Sequence, residues 1–329
     1  MRLRIPSTRQ ESTHRTVVPR NFLLWSCNLV LALVLILCLF YFLTIVIPSV
    51  DWTNLGVMPA PPIYLHYVRF NGSRTTNYLS FTEYLSVRSA VQYLAPDAIF
   101  LHGDFVPTGV YWENLTSEGL ISHVHMEKPF DFGKREGKLK RPKFVEHQAD
   151  LAKLEILLEY GGIAADFDVY FLRGEKIKKI LRKNKAITCY GDEDGNNIGF
   201  VAGWPDSVFL KAWRRSYEDL YVKEDWNFNQ AFVSKYLTVL FAKDVYVADN
   251  VCVIRDTESV VEENSPQLRY FMSAMAVHTY NRHGKPQIRS VADLGGNTTH
   301  RKHLLRTIYR NLEIPESEPG FQDEVTIRP

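Results

Sequence analysis

The chain has 329 residues, 46% of them hydrophobic and 13% aromatic, with four cysteines, which excludes a disordered tail, a collagen-like chain and a small disulfide scaffold. Lys and Arg number 39 against 37 Asp and Glu, a net charge of +2, so no global charge argues for nucleic acid as a partner. The charge is unevenly placed: residues 1–21 carry five arginines (Arg2, Arg4, Arg9, Arg15, Arg20) and one acid, Glu11, and residues 22–50 carry none.

The first predicted element is the apolar run Phe22–Ile47. At 26 residues it is longer than the roughly 20 that a helix needs to span hydrocarbon. The preceding arginines place the N-terminus in the cytosol and the body across the membrane. A cleaved leader is the competing reading, but its apolar core is shorter, and Pro48-Ser49-Val50-Asp51 is a poor cleavage site. The expected organisation is a cytoplasmic tail 1–21, a transmembrane signal-anchor 22–47, a Pro-rich stem 48–62, a lumenal domain 63–313 and a C-terminal tail 314–329. Three N-glycosylation sequons, at Asn71, Asn114 and Asn297, all fall on the side that the charge rule makes lumenal. In that compartment Cys189 and Cys252 either pair or remain two separate buried thiols; spacing alone leaves both open.

Strands are expected at 63–68, at 96–102 and near Val124, and a helix over 81–94. Lys134 to Lys143 is a basic loop, either solvated or in contact with an anion. The most informative stretch runs from His147 to Val169. Leu151, Leu154, Leu157 and Leu158 recur at helical spacing, Asp150 and Lys153 share a face, and Gly161-Gly162 stops the helix where positive φ is needed. A strand is expected from Ile163 onward. Residues two apart in a strand point the same way, so Asp166 and Asp168 would present two carboxylates at one strand end. Such a pair can hold Mn²⁺ or Mg²⁺ against a diphosphate. Downstream, Asp192 to Gly203 reads as a polar, then small and apolar loop, equally a plain acidic turn or a lining for donor sugar or acceptor beside the metal, with Asp194 and Asn197 as candidate sugar contacts. A helix is expected from near Pro205. Trp226 to Gln230 reads equally as acceptor groove or core, and His102, His125 and His147 as ordinary structural histidines.

His147-x-x-Asp150, the apolar helix, Tyr160-Gly161-Gly162-Ile163 and Asp166-x-Asp168-Val169 resemble the core signature of glycosyltransferase family 32. Pro107-x-Gly109-x-Tyr111-Trp112 is similar to the segment that precedes that core. The resemblance implies an α/β fold of GT-A type, a Rossmann-like mixed sheet flanked by helices, preceded by one transmembrane helix. It also implies a retaining glycosyltransferase that moves a sugar from a nucleotide sugar, UDP-sugar before GDP-sugar, to a hydroxyl of a glycan or glycolipid. Localisation would be the Golgi membrane, as a single-pass type II protein. By the same resemblance Asp166 and Asp168 hold Mn²⁺ and are catalytic. Asp150 and Lys153 lie at the nucleotide sugar, and His278, in Val277-His278-Thr279-Tyr280, completes the metal shell. Two positions depart from the family: Lys153 replaces Arg, and Ala164 replaces an aromatic that would pack on the base or ribose. The alternative reading is a catalytically inactive, membrane-tethered homologue that binds nucleotide sugar or glycan.

Overall fold

The computed structural model describes residues 33–41 and 60–312, apart from 73–74, 130–131, 133, 136–137, 140–141, 192–194, 253–256 and 282–284. The chain divides into two compact units, Met1–Pro61 and Pro62–Pro329. In the first, residues 33–41 are helical with apolar side chains exposed. The tail 1–21 and the rest of the expected span lie outside the described residues, as do most of the stem and the C-terminal tail. Among the described residues no helix is long and apolar enough to cross a membrane.

The second unit opens with β1 (Tyr64–Val68), α1 (Phe81–Ser89), β2 (Ala98–Gly103), α2 (Val110–Ser117) and β3 (Ser122–His125). Ser80 starts α1 with a capping box: its side chain accepts from Glu83 N–H, and Glu83 Oε2 accepts from Ser80 N–H at 2.7 Å. The expected helix to residue 94 ends in a π-helical turn, Ala90–Leu94. The basic loop contains a short antiparallel hairpin, β4 (Lys134–Arg135) with β5 (Lys138–Leu139). Then come α3 (Val145–Tyr160), β6 (Gly162–Ala165), β7 (Val169–Phe171), α4 (Gly174–Leu181), β8 (Ala186–Tyr190) and β9 (Asn196–Gly203). The chain continues through α5 (Val208–Asp219), α6 (Ser234–Leu240), β10 (Val245–Ala248), α7 (Pro266–Met272), β11 (Ala276–His278) and α8 (His300–Asn311).

Seven strands form one mixed sheet in the order β10-β8-β9-β6-β1-β2-β3. Every neighbouring pair is parallel except those of β9, which runs antiparallel to β6 and β8. The expected loop at 192–203 is therefore corrected: from Asn196 on it is a central, buried strand. Its small residues fit a position flanked by strands on both sides.

Side-chain alternation gives the sheet two cores. Leu65, Tyr67, Ile163, Ala165, Phe200 and Ala202 pack with α1 and α8 on one face. Ala164, Ile198 and Val201 pack with Leu151, Leu154 and Leu157 of α3 and Phe209, Leu210, Trp213 and Tyr217 of α5 on the other. Each leucine, isoleucine, valine and phenylalanine among them contributes roughly 1.5–3 kcal/mol by leaving water. Gly161 and Gly162 join α3 to β6 with φ of +70° and +105°, and a Cβ on Gly162 would lie 2.4 Å from Tyr64 O, so the turn into the sheet requires glycine there. Cys189 and Cys252 form a disulfide with Cα atoms 6.2 Å apart, which decides between the two readings of these thiols.

Candidate active site

The two acidic residues converge, but not by the expected route. β6 ends at Ala165, paired with Phe200 of β9. Asp166-Phe167-Asp168 is a turn: Asp166 N–H donates to Gly199 O at 2.8 Å, and Val169 N–H donates back to Asp166 O at 3.1 Å. The continuous strand from Ile163 is thus corrected. β7 leaves the main sheet and pairs antiparallel with β11, with Val169 opposite His278. Phe167 anchors the turn by stacking on Tyr67, with ring centroids 4.3 Å apart and planes 7° apart.

The β7–β11 pairing delivers His278 to the acidic turn. Ligand atoms of Asp166, Asp168 and His278 lie within 4.8 Å of one another, close enough to share one ion. His278 Nε2 is 3.0 Å from Asp168 Oδ1. Asp168 Oδ2 accepts from Asn281 N–H at 2.8 Å. The His278 ring is buried and stacks on Tyr280 at 4.0 Å, and its Nδ1 is buried with no hydrogen-bond partner among the described residues. Two carboxylate oxygens and one imidazole nitrogen suit a divalent cation of the Mg²⁺ or Mn²⁺ kind, with further positions left for water or substrate oxygens.

Lys153 and Asp150 form the wall behind Asp166. Lys153 is 1% exposed, and its ammonium donates to Asp166 Oδ1 at 2.6 Å, Asp150 Oδ1 at 3.3 Å and Ile198 O at 3.3 Å. Burial opposes its charge, but the carboxylates of Asp166 and then Asp150 outweigh burial, and the Lys153 pKa is raised. Its three protons are thereby directed at protein acceptors. Asn197 Nδ2 donates to Tyr280 Oη at 2.9 Å, and Asn197 Oδ1 accepts from Gly199 N–H at 2.6 Å. Asn197 therefore braces the aromatic under His278. Asp194 lies outside the described residues. Ala164 is fully buried in the core beneath α3, so the aromatic expected at this position has no surface here on which to meet a nucleotide.

A cleft of about 410 Å³ opens at the carboxyl ends of β1 and β6, where ligands bind in sheets of this kind. Its wall includes Asp150, Lys153, Asp166 and Asp168. It also includes Arg69, Glu83, Glu146 and Asn281, which no motif singled out. The position of Arg69, directly after an apolar strand, was the available signal. Its guanidinium pairs with Glu83 at 3.4 Å and lies 5.9 Å from the Phe167 ring centroid.

The remaining candidates are placed as follows. His102 Nε2 and His66 Nδ1 are 3.0 Å apart in the core, and His66 Nε2–H donates to Gly161 O at 3.1 Å. His147 joins Tyr221 Oη at 3.0 Å and donates to Trp226 O at 3.2 Å, a structural role. His125 is exposed beside Glu127. Trp226 packs edge-on against Phe144 at 4.8 Å and Asn229 is buried, so this segment contributes to packing. Asn71 and Asn297 are exposed, whereas Asn114 is half-buried within α2.

No protein-family profile matches the chain. Among curated proteins, it is 27% identical over 158 residues to "Glucan organizing enzyme 1" of Cryptococcus neoformans var. grubii, covering 44% of this chain and 40% of that one. The match thus spans less than half of the relative's length. Among solved structures, a galactosyltransferase, LgtC, in complex with donor and acceptor sugar analogues is 15% identical with a TM-score of 0.39, covering 77% of this chain and 98% of that one. The apo form of WbbM, a bifunctional glycosyltransferase, is 10% identical with a TM-score of 0.45, covering 78% and 51%. The apo form of mouse xyloside xylosyltransferase 1 is 8% identical with a TM-score of 0.37, covering 68% and 99%.

Proposed function

We propose that this chain is a metal-dependent glycosyltransferase of GT-A type that moves a sugar, with retention, from a nucleotide sugar (UDP-sugar first) to a hydroxyl of a glycan or glycolipid. The observation that carries the reading is the meeting of Asp166, Asp168 and His278 within 4.8 Å of one another, with the two aspartates in the wall of the cleft. Asp166, Asp168 and His278 would hold Mn²⁺. When bound, such an ion stabilises negative charge on a departing diphosphate.

The electrostatics of the wall favour a cation. Five acidic side chains, Glu83, Glu146, Asp150, Asp166 and Asp168, face it against two basic ones, Arg69 and Lys153. A bare diphosphate would be repelled. Lys153 holds Asp166 in place and offsets one of the three neighbouring aspartate charges. Phe167 fixes the turn, and Tyr280 with Asn197 fixes the imidazole. The name of the fungal relative, a glucan organizing enzyme, is in keeping with a sugar substrate. We further read the chain as a single-pass type II protein of the Golgi membrane, from the basic residues 1–21, the apolar run 22–47 and the sequons at Asn71, Asn114 and Asn297.

The test is a panel of nucleotide sugars with Mn²⁺ or EDTA, following nucleotide release and the anomeric configuration of the product. Metal-dependent release in the presence of acceptor from one donor is expected, and loss of both release and Mn²⁺ binding in Asp168→Asn. Full activity and unchanged metal binding in Asp168→Asn would remove the assignment. A folded protein that binds nucleotide sugar without turnover would instead support the inactive-homologue reading.

A further inference from the structure

We infer that Arg301, on α8, is a positioning residue for the metal centre and acts on Asp168 through Asn281; this rests on the metal reading above. Arg301 is a buried charge, 3% exposed, outside the cleft wall. Such a charge is costly unless its donors are met. Two arms of its fork donate hydrogen bonds, Nη1 to Asn281 Oδ1 at 3.3 Å and Nη2 to Pro286 O, and Nε forms an ion pair with Glu258. Arg301 N–H also donates to Thr257 O at 2.9 Å, and Thr257 Oγ1–H donates to Thr279 O at 3.5 Å, which ties this turn of α8 to the segment of Asn281.

Asn281 is the bridge. Its Oδ1 also accepts from Thr279 Oγ1–H at 3.0 Å, so the side chain is held from both sides. With that side chain pinned, Asn281 N–H points at Asp168 Oδ2 at 2.8 Å. Thr279 N–H meanwhile donates to Asp168 O at 2.9 Å. Both the backbone and one carboxylate oxygen of Asp168 are thus fixed, and Oδ1 is the oxygen that faces His278 Nε2. A carboxylate without that restraint can turn either oxygen to the ion. Groups that orient metal ligands in this way typically alter affinity 10- to 100-fold when removed. Lysine keeps the charge at position 301 but lacks the planar fork whose Nε and two Nη atoms meet these separate acceptors.

The test is Mn²⁺ titration of the full-length chain in detergent, read by electron paramagnetic resonance of free and bound Mn²⁺, with circular dichroism confirming the fold. Arg301→Lys and Asn281→Ala are expected to raise the Mn²⁺ Kd about tenfold or more and to alter the bound-ion spectrum. Asn281→Asp keeps an acceptor for Arg301 and Thr279 and is expected to stay within about threefold of wild type. If Arg301→Lys is natively folded and binds Mn²⁺ as wild type does, the relay is wrong. Should Arg301→Lys not fold, Asn281→Ala decides alone, and wild-type binding by it overturns the relay. If the wild-type chain itself takes up no Mn²⁺, the metal-centre reading fails first and the relay with it.

Discussion

Lys153 Nζ lies 2.6 Å from Asp166 Oδ1, with Asp150 Oδ1 3.3 Å from the same nitrogen, so one buried ammonium is shared by two carboxylates. Lys153→Met fills the same volume and leaves both acids facing a cation that is gone. Removing one member of a buried ion cluster costs about 3–5 kcal/mol, and we expect a loss of that order in urea denaturation. The folded pKa of Lys153 is raised, so its contribution is full below the ordinary lysine value of 10.5 and is lost only as pH rises through the folded value. An unchanged urea midpoint in Lys153→Met at neutral pH would contradict this account.

Gly199 determines whether His278 can reach the acidic turn. A Cβ at position 199 would lie 2.5 Å from His278 Cε1 and 2.9 Å from Nδ1. Gly199→Ala should push the ring away and weaken Mn²⁺ binding by about tenfold or more, with both aspartates still in the sequence. Calorimetric titration of both proteins checks it, and equal affinities would show that the imidazole is not a ligand.

Phe167→Ala removes the ring that stacks on Tyr67 between the two aspartates. Phe167 is half-buried, so the cost is expected at about 2 kcal/mol, below the 3–5 kcal/mol of a fully buried phenylalanine. The turn would also lose its anchor. Thermal melts and Mn²⁺ titration should therefore show both effects together, and a destabilised protein with native metal affinity would argue that the turn holds itself.

The His66–His102 pair predicts a stability step in mild acid. Burial lowers the pKa of His66 to about 4, helped by the facing His102, and burial with His123 nearby lowers His102 to about 4. Both are therefore neutral when folded, while in the unfolded chain they take up protons below 6.5. Stability is full above that value and falls as pH drops towards about 4, by roughly 3 kcal/mol for the first of the coupled protons. Urea midpoints between pH 7 and pH 4.5 should decline in wild type and decline less in His102→Gln, and parallel profiles would exclude the pair as the cause.

The helix, the glycine stop and the entry into β6 were legible because each has a local cause: leucine spacing, and φ values that only glycine adopts freely. Asp166 and Asp168 were legible as a pair, yet what unites them is a turn and the β7–β11 pairing, a contact across more than a hundred residues that no local pattern encodes. β9 was read as a loop because Asn196-Asn197 and its two glycines lack strand character; tertiary enclosure between β6 and β8 overrides that. The family's aromatic at position 164 is expected at the nucleotide, but whether this position faces the core or the cleft follows from strand alternation relative to α3, which is known only once the sheet is assembled. Arg69 and Asn281 reach the cleft with no motif around them.

The two-stranded ribbon of β7 and β11 has a bearing on biosynthesis. His278 and Asn281 are made long after the acidic turn, and Arg301 later still. A nascent chain halted before position 276 has every strand of the main sheet but only two corners of the ion site. On the proposed reading, cation binding depends on the residues from 276 on, and a chain that stops before them would keep the main sheet without the third ligand.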